Sequence, residues 1–264
     1  MSKFNDKFLM YISLSSSILA MVFSIYNYVL IRELQLEKSI LHSLKPIDLP
    51  KIEYYNAVYG NSSDIIIYEY MEYLCPFCAA FYFEVFPEIK KKYIDSGKIS
   101  YVYKNLIVHG DLAKKLSLYA ACIYKEKGLE EYINYKSEIL REVYNNVLYL
   151  KNGTNLEISI NETLNKYKDV EDCIKNNEIE KLIDAETYEA VKIYGMMGTP
   201  SFIIAININK ISEERIKEVK NILDQLKPYG FSYNMWISSD RKYFILGFSG
   251  ALPIEFFDQV LSLS

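Results

Sequence analysis

Ile65-Ile66-Ile67-Tyr68-Glu69-Tyr70-Met71-Glu72-Tyr73-Leu74-Cys75-Pro76-Phe77-Cys78-Ala79-Ala80-Phe81 is the stretch whose reading decides the fold. Its opening, Ile65 to Tyr70, is an apolar, β-branched run that predicts a buried strand. Beyond Cys78, the residues Phe81, Val85 and Ile89 recur at helical spacing. A Cys-x-x-Cys at such a strand-to-helix junction places its first sulfur beside the unpaired N–H groups and positive dipole end of a helix. Both favour a thiolate over a thiol. The second cysteine, one turn further in, can close a small disulfide ring. Pro76 suits the first helical turn, where its missing N–H would have had no partner. These residue types at this spacing point to a dithiol that alternates between reduced and oxidised forms. A zinc site is a poor fit: no second Cys-x-x-Cys exists, and His42 and His109 are not in ligand spacing. An inert local disulfide is the other reading the motif allows.

Working outward, the 264 residues are enough for one sizeable domain with appendages, and half of them are apolar. Net charge is −4 and only Arg32, Arg141, Arg215 and Arg241 are arginine. This argues against a nucleic-acid surface, which needs a concentrated basic face. Residues 8–31 carry no charge. At 1.5 Å per residue they would extend roughly 36 Å as a helix, enough to cross a hydrocarbon core of about 30 Å. Lys3 and Lys7 precede them, so the expected arrangement is a cytoplasmic tail (1–7) and a single transmembrane anchor (8–31). A cleaved signal peptide competes, but the segment is long and no small-x-small cleavage site follows it. The catalytic part would then face the periplasmic, extracytoplasmic side of the inner membrane, where an even cysteine count fits an oxidising compartment. Residues 32–51 read as a stalk and linker, with Leu34, Leu41 and Leu44 on one stripe and Pro46 and Pro50 marking the linker.

A first edge strand is expected within Ile52–Tyr59 and another strand at Ile99–Lys104. The Cys78 helix should run to about Ser96, with a kink at Pro87 and a stop at Gly97. From about 107 to 192 apolar residues recur at helical spacing, an all-helical block ending at Gly198-Thr199-Pro200; strand character resumes at Ser201. The order is βαβ with an inserted helical subdomain, and such a crossover can return the Thr-Pro loop to the Cys-x-x-Cys.

At this point the chain resembles a family. Glu69 to Cys78 looks like the opening of thioredoxin-fold disulfide oxidoreductases of the DsbA type, and Gly198-Thr199-Pro200-Ser201-Phe202 resembles their cis-proline loop. Gly250-Ala251, Pro253 and the segment through Phe256, Phe257 and Val260 resemble their last turn and helix. The expected architecture is α/β: a thioredoxin-like domain over 52–264 with the helical insertion, behind an N-terminal transmembrane helix. Residues 207–242 depart from the pattern and read as an extra helix and strand, taken as an edge extension of the sheet.

The resemblance implies roles. Cys75 would be the nucleophile and Cys78 the more buried, ring-closing partner. Thr199 and Pro200 would offer backbone to an extended substrate by strand addition, beside Pro76 and Phe77. Glu69 would be a partly buried acid near Cys78 that relays protons, with a raised pKa, whereas Glu72 would tune surface charge. Cys122 and Cys173 could form a structural disulfide, the alternative being two free buried thiols; His109 reads as a solvated loop residue. Implied too are reduced extracytoplasmic protein substrates, a quinone-linked membrane reoxidase, and no nucleotide or metal. Because Phe77 offers the thiolate no charge or hydrogen bond, a milder oxidant than the extreme members is expected. Two rivals to a disulfide donor are an isomerase or reductase of the same fold and a non-catalytic envelope scaffold or chaperone.

Overall fold

The computed structural model describes residues 20–32, 40–148 and 156–261. Met1–Leu44 and Lys45–Ser264 are separate compact units. In the first, residues 20–32 and 40–43 are helical, and Met21, Val22, Phe23, Ile25 and Tyr26 are exposed. Among the described residues no helix is long and apolar enough to cross a membrane. Residues 8–19 of the expected anchor and Leu34 of the expected stalk lie outside the described residues.

The second unit is built on seven strands: β1 (Pro46–Ile47), β2 (Val58–Tyr59), β3 (Ile65–Met71), β4 (Ser100–Asn105), β5 (Ser201–Asn207), β6 (Tyr233–Ser238) and β7 (Tyr243–Ser249). They form one sheet in the order β1-β6-β7-β5-β3-β4-β2. β3 lies at its heart, parallel to β4 and antiparallel to β5. The β-branched and aromatic residues of these strands fit a sheet covered on both faces, which is why β3 and β5 are apolar almost throughout.

Strand alternation divides the two faces. Tyr68, Tyr70, Val102, Ile203 and Ala205 point into one core with Ala190, Tyr194, Met196 and Trp236. On the other side Phe202 packs with Phe81 of the Pro76–Glu84 helix and Phe257 of the Ile254–Leu261 helix, their ring centroids 4.9 and 5.4 Å away. The helical segment between β4 and β5 contains Gly110–Lys127, Leu129–Leu148, Leu156–Lys166 and Asn177–Tyr188. Cys122 and Cys173 are joined there by a disulfide. With its ends 51 positions apart in the sequence, such a cross-link stabilises by about 4 kcal/mol in the chain-entropy account.

Three details differ from the sequence reading. Pro46, read as linker, opens β1, and β1 pairs parallel with β6; Leu49 packs against the core and Asp48 accepts a hydrogen bond from the Tyr194 hydroxyl at 2.7 Å. The edge strand expected within Ile52–Tyr59 is only Val58–Tyr59, because Asn56 turns back to accept from the Glu53 N–H through its side chain. The helix after Cys78 is not continuous. It breaks at Val85, one residue before the Phe86-Pro87 pair, and continues as Phe86–Ile89 and a π-helical turn, Lys90–Ile94; proline lacks the N–H that would carry the regular ladder through this point. The 207–242 segment follows the reading: it supplies the Glu213–Leu226 helix and then β6, which adds to the sheet beside β7. Gly247 makes that addition fit: a Cβ there would meet the Trp236 ring at 2.5 Å.

Candidate active site

Cys75 is the N-cap of the Pro76–Glu84 helix, with Pro76 at its first position. The Cys78 N–H donates to Cys75 Sγ at 3.3 Å, and the Cys75 thiol in turn donates to the Thr199 carbonyl at 3.2 Å. Two segments 124 residues apart thus meet at one sulfur. They meet because β3 and β5 are neighbours, with Tyr70 opposite Ser201, so the loop ahead of β5 and the helix after β3 emerge at the same end of the sheet. The Thr199–Pro200 peptide is cis. Gly250 donates to the Pro200 carbonyl at 2.8 Å, and the Ser201 and Ser249 hydroxyls lie 2.6 Å apart, which anchors the loop.

The two thiols, both free, are driven in opposite directions. Cys75 is brought down to about 6 by a hydrogen bond from the Cys78 side chain first, then by the Thr199 side chain and the N–H groups of Cys78 and Phe77, against the opposing effect of burial. Cys78 is pushed well above the ordinary thiol range, by burial first and then by its contact with Cys75 and the charge of Glu69. The site therefore holds one sulfur as a thiolate near neutral pH and the other as a thiol. Cys78 is the more buried of the two, as expected, though both are covered: Cys75 is 2% exposed and Cys78 fully enclosed. The Cys75 sulfur is covered because it caps its own helix and touches Thr199. Around it, Phe77 and Met197 stand out into solvent, 66% and 89% exposed.

Glu69 is buried beneath this site and accepts a hydrogen bond from the Tyr101 hydroxyl at 2.7 Å. Burial raises its pKa, opposed by the charge of Lys136 and by Tyr101. Glu72 does not tune surface charge. It is fully buried, accepts from the Val108 and His109 N–H groups at 2.8 and 3.0 Å, and contacts His109 Nδ1. A carboxylate collecting two loop N–H groups is fixing backbone, and His109, half-exposed, is fixed with it.

Lys136 escaped the sequence reading. It lies in the Leu129–Leu148 helix and is completely buried, with Nζ 2.8 Å from the centroid of the Tyr103 ring and the Tyr82 and Tyr132 rings at 5.0 and 6.0 Å. Its signal is positional: the buried residues of that helix are Tyr132, Tyr135, Lys136, Ile139, Leu140 and Val143, so the lysine occupies a place on the apolar stripe. Among the described residues no cluster of His, Cys, Asp and Glu could hold a metal ion.

A thiolate-stabilising Cys-x-x-Cys at a helix start, touching a cis-proline loop on a thioredoxin-like sheet, is an arrangement suited to thiol:disulfide exchange. Residues 54–225 match the thioredoxin family model, and the chain belongs to that family as a thiol:disulfide oxidoreductase. Proteins described as protein-disulfide oxidoreductases in Rickettsia felis and Rickettsia bellii are 29% and 32% identical over 198 and 190 residues; the matches cover 67% and 66% of this chain and 68% and 70% of theirs. The crystal structure of Wolbachia pipientis alpha-DsbA1 superposes with a TM-score of 0.55 at 22% identity, covering 81% of this chain and 92% of that one, and shares the fold.

Proposed function

We propose that this oxidoreductase acts as a disulfide donor to reduced extracytoplasmic proteins through Cys75 and Cys78. The observation that carries the reading is the place of the Cys75 sulfur, which caps the helix, accepts from the Cys78 N–H and lies against the Thr199 carbonyl ahead of the cis-proline; the helix-start contacts lower its pKa. Stabilising the thiolate stabilises the reduced form, and that makes the disulfide the better oxidant. A substrate thiolate attacks the Cys75 sulfur of the Cys75–Cys78 disulfide, and Cys78 leaves. A second substrate thiolate then attacks the substrate sulfur of the mixed disulfide and releases Cys75 as a thiolate, so the substrate is oxidised by two electrons and the chain returns as a dithiol. Thr199 and Pro200 offer backbone to the incoming segment, with Phe77 and Pro76 beside it; since Cys75 is covered by Thr199, docking has to expose the sulfur. A quinone-linked membrane protein would reoxidise the dithiol, and residues 8–31 would anchor the chain with this domain on the periplasmic side of the inner membrane. The charge-free run at 8–31 supports the anchor.

Equilibration with glutathione tests the reading. The expected potential is above thioredoxin's, about −270 mV, and below DsbA's, about −120 mV, because Phe77 adds nothing to the thiolate. Alkylation trapping in cells then separates donor from isomerase or reductase: Cys75 found oxidised at steady state supports the donor, and Cys75 found reduced overturns it.

A further inference from the structure

The mechanism above makes no use of Lys136. A lysine rarely lies fully buried without a hydrogen-bonding partner, since an unpaired charge in an apolar interior is costly. Yet among the described residues Lys136 Nζ has no hydrogen-bond partner, only the aromatic faces of Tyr103, Tyr82 and Tyr132. These rings come from β4, the Cys-x-x-Cys helix and its own helix. Tyr103, whose ring lies under the Lys136 Nζ, is the register partner of Glu69 in the β3–β4 pair, and the acidic groups whose charge reaches the lysine are Glu69 and Cys78. Burial draws Lys136 down to about 7, so it changes charge near neutral pH. Cys75, by contrast, is governed by hydrogen bonds at the helix start.

We propose that Lys136, contributed by the inserted helical segment, is a positioning residue for the Cys78 half of thiol–disulfide exchange. It is the buried cation on the Glu69 face of the sheet, and a cation there favours the ionised forms of both Glu69 and Cys78. Cys78 has to ionise in one step only. With oxidised glutathione as probe, Cys75 thiolate first attacks one glutathione sulfur, forming a mixed disulfide and releasing one glutathione thiolate. Cys78 then loses its proton and attacks the Cys75 sulfur. The Cys75–glutathione bond breaks, the Cys75–Cys78 bond forms, and the second glutathione leaves as a thiolate that takes up a proton. The chain is oxidised by two electrons and the glutathione disulfide is reduced by two. Lys136 acts on this second step and leaves the first alone.

The inference rests on the exchange reading above, and the test separates the two. The full chain, reduced, is mixed with oxidised glutathione, quenched in acid at intervals, and its mixed disulfide and internal disulfide are quantified by mass. Lys136→Met keeps length and apolar packing, Lys136→Gln is a second uncharged variant with different volume, and Lys136→Arg keeps the charge. The expected result is resolution of the mixed disulfide slowed about tenfold at pH 7 in both uncharged variants, with formation within twofold of wild type and partial recovery in Lys136→Arg. The pH profile of resolution should also shift upward in Lys136→Met, with Glu69, Cys78, Tyr82, Tyr103 and Tyr132 as the titratable groups around the site. Resolution at the wild-type rate overturns the proposal, as does equal slowing of both steps, which would mark Lys136 as packing alone. A wild-type chain that forms no mixed disulfide removes the exchange reading, and the proposal with it.

Discussion

Among the described residues each face of the sheet buries one lysine, and the two have different partners. On the face with Tyr68 and Tyr70, Lys104 of β4 donates to the Lys51 carbonyl at 2.7 Å and pairs with Glu186 at 3.0 Å and Glu189 at 3.7 Å. Glu186 also accepts from Asn56 and from the backbone and side chain of Asn105, and Glu189 from the Tyr70 hydroxyl. On the opposite face, beneath Cys75 and Cys78, Lys136 meets only aromatic rings. A saturated network fixes structure, here tying β3, β4 and the 45–56 segment to the Asn177–Tyr188 helix. An unsaturated charge costs stability and survives where its charge is used.

The largest effect that sharpens this contrast is on the saturated side. Lys104→Met leaves the buried Glu186 and the half-buried Glu189 without their cation, and removing one partner of a buried pair costs about 3–5 kcal/mol. Urea unfolding measures it. The glutathione equilibrium of whatever chain remains folded should be unchanged, because Lys104 points away from the dithiol. A shift in that equilibrium would break the division between the faces.

The second effect belongs to Cys75 and is a pH dependence. In the reduced folded chain its pKa is about 6, whereas unfolded cysteine titrates near 8.5. Between those values the unfolded state binds more protons, so the reduced chain gains stability as pH rises and loses it as pH falls through about 6. The oxidised chain lacks the group. The difference in stability between reduced and oxidised forms should therefore move toward the reduced form by on the order of 2 kcal/mol between pH 6 and pH 8. A difference that is flat with pH would mean that Cys75 is not held as a thiolate.

What could be read in advance follows the same line between local and distant. The strand, the Cys-x-x-Cys and the helix start announce themselves within a dozen residues, whereas Gly198-Thr199-Pro200, a common turn sequence by itself, is legible only through its resemblance to a cis-proline loop beside that motif. The 207–242 helix and strand were readable from periodicity alone. Pairings that depend on register between remote segments were not. Pro46 gave no strand signal, since a two-residue β1 exists only because β6 offers an edge. Glu72 looked like a surface acid because the N–H groups it collects lie 36 and 37 residues away. Lys104 and Lys136 sit among tyrosines in their local sequence, and nothing there says which will find carboxylates and which will not.

The smallest effect tests the unsaturated face without touching a cysteine or a lysine. Tyr101→Phe removes the hydroxyl that donates to Glu69 at 2.7 Å and leaves the ring contacts with Phe86 and Tyr103 in place. The lost hydrogen bond costs about 1 kcal/mol at neutral pH. Its pH dependence is the informative part. Glu69 is already raised by burial, and Tyr101 is one of the influences holding it down, so the variant raises it further. A carboxyl raised on folding makes the folded chain bind more protons than the unfolded one, so its cost appears as pH rises above the ordinary carboxylate range and vanishes below it. The penalty of Tyr101→Phe should therefore shrink in acid and reach its full size only where wild-type Glu69 is ionised. A penalty equal at pH 4 and pH 8 would mean that the hydroxyl serves packing rather than the charge, and that Lys136 faces a carboxylic acid that never ionises in the working range.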